Sequence, residues 1–272
     1  MTERSDPTRP TRPALRALLH DLHGAGEQER APGALLPAVL VELGLADGYF
    51  PFASVLGPLL IAYSSAGLTA IWRGIDPEAF IAAYEGRQGR SLRALPAAPP
   101  ELATAIGRRL RGERATVRFD LRGLSEFERA TLAKASEIPR GEVRPYAWIA
   151  REIGRPGATR AVGTALGRNP LPLLIPCHRI VRSDGRVGDY VFGTADKEAV
   201  LRDEGVALDA LAAEARARVR YHASDTTGIY CFPTCHHARR ITAPHRVTFP
   251  SDAAAQMAGY RPCKRCRPAI AS

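Results

Sequence analysis

Turn-forming residues cut the stretch from Ser54 to Trp72 into short apolar runs that predict a β-hairpin: a turn at Gly57-Pro58, a strand over Leu59–Tyr63, a turn over Ser64–Gly67 and a strand over Leu68–Trp72. Asp76-Pro77 reads as a helix cap with proline at the first helical position, opening a helix over Glu78–Tyr84. After Pro99-Pro100, Leu102, Ile106 and Leu110 recur at every fourth position and predict another helix, and Val117–Leu121 reads as a returning strand. Ser125 and Glu128 have capping-box spacing ahead of a helix over Glu126–Glu137. Pro145–Ile153 and Ala158–Leu166 read as two helices joined by Gly154-Arg155-Pro156-Gly157, a helix-turn-helix whose second helix is small-sided at Ala161, Gly163 and Ala165. Thr194 is expected to cap a helix through Arg202 that Gly205 stops.

The predicted fold class is α/β plus α+β: a small α/β domain over 49–122, a mainly helical domain over 123–207, a low-information helical linker over 208–218, and a compact segment over 219–272. Residues 1–48 are expected to be a mobile arm, proline-punctuated to about residue 33, with short helices over Ala14–Leu22 and Leu35–Leu45. The N-terminus lacks the apolar core of a signal peptide, and Glu42 interrupts the best apolar run, so a cytoplasmic protein without a membrane partner is expected.

Charge sharpens the picture. The chain carries a formal charge of +10, which points to a polyanion, and 219–272 alone holds eight Lys/Arg against two acids. In a reducing compartment the five cysteines read as a nucleophile and metal ligands before disulfides.

One cysteine stands inside an apolar run, Leu173-Leu174-Ile175-Pro176-Cys177-His178-Arg179-Ile180-Val181. A nucleophilic cysteine must become a thiolate, which needs a base and positive charge nearby, and His178 and Arg179 are placed to supply them. The alternative is a buried, inert structural cysteine.

Around that run lie Arg160-Ala161-Val162-Gly163-Thr164-Ala165-Leu166, Asn169-Pro170-Leu171-Pro172, Ser183-Asp184-Gly185 and Gly188-Asp189-Tyr190. From about Tyr49 to Gly205 the chain resembles the O6-alkylguanine-DNA alkyltransferases, and the likeness is most specific from Arg160 to Tyr190. The resemblance implies a ribonuclease-H-like N-terminal domain and Cys177 as acceptor of an alkyl group from guanine, and activity on O4-alkylthymine is part of the same expectation. It implies His178 as the base acting through a water, Glu204 as the carboxylate orienting it, Asn169 as the residue positioning the network, and Tyr146 as proton donor to the departing guanine. Toward DNA it implies Arg160 filling the vacated base stack and Tyr190 stacking near the flipped base, with Arg179 grouped among the DNA-facing residues. Taken singly, Arg160 reads as a solvated charge, Tyr146 as a core aromatic and Glu204 as a last-turn acid; their joint occurrence at family spacing favours the functional reading. Pro145, where the family commonly has serine, and Val191-Phe192-Gly193 depart from its pattern.

Cys231-x3-Cys235 and Cys263-x2-Cys266 form two close pairs in a segment too short for a large core, the spacing of a four-cysteine zinc site. Disulfides are the alternative, and His222, His236, His237 or His245 could replace one thiol. Asp225-Thr226-Thr227-Gly228-Ile229-Tyr230-Cys231-Phe232-Pro233-Thr234-Cys235 and Ala258-Gly259-Tyr260-Arg261-Pro262-Cys263-Lys264-Arg265-Cys266 resemble the zinc domain of the Ada family. That resemblance implies one Zn2+ and acceptance of methyl from DNA methylphosphotriesters at Cys231.

The expected function is a single-turnover DNA repair methyltransferase acting as a monomer on alkylated double-stranded DNA. A thioether offers no carbonyl to hydrolyse, so the reaction ends on the protein. The second expectation is a zinc-dependent DNA-binding sensor whose zinc domain only anchors. A cysteine hydrolase is disfavoured because no oxyanion hole is marked.

Overall fold

The computed structural model describes residues 35–74 and 76–268, which form mixed α/β structure. The arm expected over residues 1–33, with its helix over Ala14–Leu22, lies outside the described residues. Residues of the expected second helix form α1 (Leu35–Glu42), which touches the first sheet and buries Val41, so this part of 1–48 is packed.

The hairpin is present as one half of a larger sheet, with its second strand at the sheet edge. β1 (Asp47–Ser54) pairs antiparallel with β2 (Gly57–Ser64), which pairs antiparallel with β3 (Gly67–Arg73). Gly57-Pro58 therefore begins a strand instead of forming a turn. The turn lies one step earlier, where Ser54 Oγ donates to the Gly57 carbonyl at 2.7 Å and accepts from Leu56 N. Proline is tolerated at 58 because pairing with β3 begins only at Leu59. Asp76 caps α2 (Pro77–Gln88) as expected, and β4 (Leu92–Ala94) then runs parallel to β1, giving the order β3-β2-β1-β4. After α3 (Pro100–Leu110), Val117–Leu121 does not form the expected strand. It makes a single bridge, Leu68 to Phe119, and further along the β3 edge Ile71 N donates to the Pro170 carbonyl at 2.8 Å instead.

The second unit opens with α4 (Glu126–Ser136), whose Ser125–Glu128 capping box is formed in both directions. Arg144–Pro145, β5, leads into α5 (Tyr146–Glu152), and α6 (Thr159–Gly167) follows after the glycine turn. A 3-10 turn over Cys177–Arg179 runs into β6 (Ile180–Val181), which pairs parallel with β5. Gly193, not Thr194, is the N-cap of α7 (Thr194–Asp203), and Gly205 at φ 80° follows its end. α8 (Leu208–Arg216) links to a second four-stranded sheet of β7 (Tyr221–Ser224), β8 (Ile229–Cys231), β9 (Arg246–Phe249) and β10 (Arg261–Pro262), ordered β10-β8-β7-β9, with α9 (Asp252–Met257) against it.

One apolar cluster runs from Phe50 and Leu68 through Leu132, Trp148 and Cys177 to Cys231 and Cys266. The first sheet and α3 hold the cysteine run from behind: besides the Ile71–Pro170 bond, Arg109 Nε of α3 donates to the Leu174 carbonyl at 3.1 Å, and Arg73 of β3 pairs with Asp196. Among the described residues no helix is long and apolar enough to cross a membrane.

Candidate active site and metal centre

Asn169, just past the end of α6, organises the run that follows it. Its Oδ1 accepts from Leu171 N at 3.0 Å, and its Nδ2 donates to the Ile175 carbonyl at 2.9 Å and to Cys177 Sγ at 3.1 Å. Every residue from Leu171 to Ile180 is buried. Leu173 sits at φ 72°, a left-handed conformation costly for a leucine and retained where surrounding packing enforces it.

Glu204 collects the polar groups behind the thiol. His178 Nε2 lies 3.0 Å from Glu204 Oε1, Arg179 donates to both carboxylate oxygens at 2.9 and 2.7 Å, and Gly141 N adds a bond at 3.3 Å. Burial alone would raise this carboxyl, but the hydrogen bonds and charges of His178 and Arg179 outweigh it and hold the pKa at about 2. Burial pushes the His178 imidazole below its usual value against the pull of Glu204, so the ring is neutral at pH 7. Its Nδ1 is buried without a protein partner among the described residues.

Arg179 corrects the sequence reading. It is 9% exposed, and its remaining Nη1 donates to the Ile138 carbonyl at 2.6 Å, so it serves as an internal tie behind the thiol and not as part of the cleft wall. A neighbour in sequence on a 3-10 turn need not share a face, and the carboxylate of Glu204 draws the guanidinium inward.

Burial also raises the Cys177 thiol, while the Asn169 hydrogen bond and the charge of Lys197 oppose that rise. The cation acting on the thiol is thus Lys197, which the sequence reading missed. It is fully buried on α7, donates to the carbonyls of Ile180 at 2.6 Å and Asp189 at 3.2 Å, and lies 5.8 Å from the centre of the Tyr146 ring. Burial lowers its pKa to about 8. A lysine four positions before a leucine looks like a solvated helix charge, and only the fold shows that this face points inward.

Cys177 opens onto a cleft of about 1690 Å³ whose walls include Tyr146, Arg160, Gly163 and Tyr190. The expected residues therefore separate into two sets: Tyr146, Arg160 and Tyr190 at the cleft wall beside Cys177, and Asn169, His178, Glu204 and Arg179 packed around the cysteine run. Tyr146 lies in a glycine-walled slot, since a Cβ at Gly163 would stand 3.9 Å from its ring and one at Gly188 3.3 Å from its hydroxyl oxygen. Tyr190 is held edge-on between His178 and Phe192 at 6.2 and 5.5 Å, and its hydroxyl is buried without a protein partner among the described residues. Arg160 is exposed at the start of α6.

The far wall was also missed. α8, read as a connector, contributes Leu208, Leu211 and Ala215 to the cleft. Gly185 packs so closely on it that a Cβ there would lie 2.2 Å from Ala215 Cβ. The spacing of those three residues is the helical signal that alanine-rich composition obscured.

In the C-terminal segment, the sulfurs of Cys231, Cys235, Cys263 and Cys266 lie within 4.8 Å of one another and all four residues are buried. Four thiols converging at that range fit one tetrahedral Zn2+, and the donor set is the one zinc prefers for a closed site. The histidines are engaged elsewhere or peripheral. His222 pairs with Glu214 at 2.9 Å, His245 with Asp225 at 3.0 Å, and His237 approaches Cys263 Sγ only at 3.6 Å. Of the four thiols Cys231 alone lines a cavity of about 370 Å³, together with Thr226, Thr227, Arg240 and His245.

Residues 126–206 match the family described as 6-O-methylguanine DNA methyltransferase, DNA binding domain, and residues 209–269 match the metal binding domain of Ada. The chain is 31% identical to the protein in a crystal structure of Mycobacterium tuberculosis OGT in complex with DNA, covering 60% of this chain and 98% of that one with a TM-score of 0.49. Residues 126–206 thus belong to the DNA-binding domain of the 6-O-methylguanine DNA methyltransferase family. That stretch is followed by the Ada-type metal-binding domain. Among curated relatives it is 44% identical over 91 residues to the methylated-DNA--protein-cysteine methyltransferase of Methanothermobacter thermautotrophicus, which is 34% of this chain and 51% of that protein. It is 45% identical over 85 residues to the enzyme of that name from Mycolicibacterium paratuberculosis, 31% and 51% of the two chains. The chain thus spans about half the length of the curated relatives it matches.

Proposed function

We propose that this protein repairs double-stranded DNA by moving the alkyl group of O6-alkylguanine, and of O4-alkylthymine, onto its own Cys177. The observation that carries this reading is a buried cysteine, hydrogen-bonded by Asn169, that opens onto a cleft walled by Tyr146, Tyr190 and the exposed Arg160. A thiol in that position cannot meet a base inside the duplex, so the nucleotide must swing out, with Arg160 taking its place in the stack.

In the resting site the thiol and the imidazole are both neutral. The thiol proton passes by way of a water to His178, whose Nε2 is fixed by Glu204, and the imidazolium formed is stabilised by that carboxylate. The sulfur attacks the alkyl carbon, an S–C bond forms as the C–O bond breaks, and the electron pair stays on the guanine oxygen. Tyr146 supplies the proton that neutralises the departing base, and the proton held by His178 returns through solvent to the tyrosinate, leaving both side chains neutral. The product is a thioether, so each molecule acts once.

The second sheet supports one further acceptor. Cys231 reaches the surface cavity beside Arg240, in keeping with methyl transfer from a backbone methylphosphotriester to a zinc-bound sulfur. Cys231, Cys235, Cys263 and Cys266 would hold that metal, which keeps its sulfurs as thiolates. We read the first sheet, three antiparallel strands with β4 parallel to β1, as ribonuclease-H-like. We also read the protein as a cytoplasmic monomer, with domains over 49–122, 123–207 and 219–272 joined by the 208–218 linker.

Incubating the zinc-loaded protein with duplex DNA labelled in the methyl group of O6-methylguanine tests this reading. One equivalent of label is expected on the peptide carrying Cys177, with none on Cys177→Ala. Label that turns over, or no label, would exclude alkyl transfer and leave the DNA-anchoring sensor.

A further inference from the structure

We propose that the C-terminal metal domain braces the alkyl-transfer site: its Cys263–Cys266 knuckle grips Trp148 and so positions Tyr146, two residues away on the same short helix. The proposal rests on the alkyl-transfer reading for its functional half, and on the geometry of the contact alone for its structural half.

Trp148 is 2% exposed, and its indole Nε1 donates to the carbonyls of Cys266 at 3.0 Å and Arg267 at 3.1 Å. The first acceptor belongs to one of the four clustered cysteines, so the position of that carbonyl depends on the knuckle being closed. Arg267 holds φ 44°, a conformation non-glycine residues avoid unless other contacts enforce it. Here its guanidinium reaches Glu152 at 2.7 Å and Glu137 at 3.0 Å and lies 5.6 Å from the centre of the Trp148 ring. Arg144 also packs on that indole, 5.9 Å from its centre and 5.2 Å from that of Phe232, with its charge met by the buried Glu142.

The other cysteine pair grips the same segment further upstream. Thr234 Oγ accepts from Val143 N at 2.9 Å, and His236 N donates to Glu142 Oε1 at 3.2 Å. Both knuckles therefore bond directly to residues 142–148, the stretch that enters α5 and delivers Tyr146 to the cleft. The opposite side of the preceding loop is tied to the acceptor site, by Gly141 N on Glu204 and by the Ile138 carbonyl on Arg179.

The C-terminal unit has little core of its own: its separate buried cluster is Ala223, Tyr230 and Ala255. A fold of that size depends on its metal, as small four-cysteine domains do. Losing the metal would free the knuckle, expose Trp148 and loosen α5 at the end that carries Tyr146.

The chain has two tryptophans, so in a Trp72→Phe protein excited selectively at tryptophan Trp148 is the sole indole emitter. Stripping zinc with a chelator should shift its emission to the red and slow methyl transfer from O6-methylguanine duplex to Cys177 by about tenfold, as expected when a reacting group is held less firmly. Re-adding zinc should reverse both changes. Trp148→Phe with zinc bound keeps an aromatic ring but loses both indole bonds, and should slow transfer without zinc removal. In a Tyr146→Phe background the same change should have no further effect, because it acts through Tyr146. Emission unchanged by zinc removal would overturn the contact. Equal transfer rates with and without zinc, or Trp148→Phe and Tyr146→Phe effects that multiply, would overturn the brace. A zinc-loaded protein that accepts no methyl at Cys177 would defeat the alkyl-transfer reading itself, while the emission arm still decides the contact.

Discussion

Replacing Glu204 by glutamine keeps the shape of the side chain and removes its charge from beneath His178 and Arg179. The carboxyl is held at about 2 where an ordinary glutamate titrates at 4.5. At about 1.4 kcal/mol per pH unit, that difference corresponds to roughly 3 kcal/mol of stability at neutral pH. The side chain is only 5% exposed, so solvent screening removes little of this. A second route to the number agrees: breaking a buried ion pair from one side strands the partner and costs about 3–5 kcal/mol. Glu204→Gln should therefore lower the stability measured by urea denaturation at pH 7 by about 3 kcal/mol. The sign of the pH dependence follows from the depressed carboxyl. Its contribution is complete above the unfolded value of 4.5 and is lost as pH falls through about 2, so the gap between wild type and variant should be the same at pH 7 and pH 5.5 and should close in stronger acid. A gap below about 1 kcal/mol at pH 7, the range of an exposed pair, would refute the buried Glu204–Arg179 tie as the source of the shift.

Asn169→Ala removes the donor to Cys177 Sγ and the acceptor of Leu171 N; single-turnover transfer should slow at least about tenfold, and stability should fall by about 2 kcal/mol. Gly185→Ala should cost about 1–3 kcal/mol in thermal or urea unfolding, because φ is 83° and the new methyl would overlap Ala215; Ala215→Gly should recover the packing part alone. Lys197 titrates at about 8 when folded against 10.5 when unfolded, so between those values the unfolded chain binds more protons and stability attributable to Lys197 rises with pH. Lys197→Met should remove that rise, read as the difference between the two proteins' denaturation curves from pH 8 to 9.5.

Local signals were legible wherever a residue's role is set by its immediate neighbours. The Ser125–Glu128 box, the Asp76-Pro77 cap and the glycine stop after α7 all appear where the chain demands them, because a cap is satisfied within one helical turn. The reading failed where a distant partner decides. Val117–Leu121 has strand-like residues but makes one bridge, since Ile71 of β3 bonds to Pro170. Arg179 looked available to DNA until Glu204, 25 positions away, was seen to accept two of its bonds.

What the sequence by itself determined is the chemistry: which cysteine stands in an apolar run beside a histidine, and which four thiols pair at ligand spacing. Those features are local and carry their meaning in residue type and separation. Only the tertiary structure decided which cation faces the Cys177 thiol, that α8 forms the far wall of its cleft, and that the metal knuckle seats on Trp148, 118 residues before Cys266. The reason is physical: electrostatic influence and packing act through space across a few ångströms, and nothing in the order of residues records which of them chain folding will bring that close.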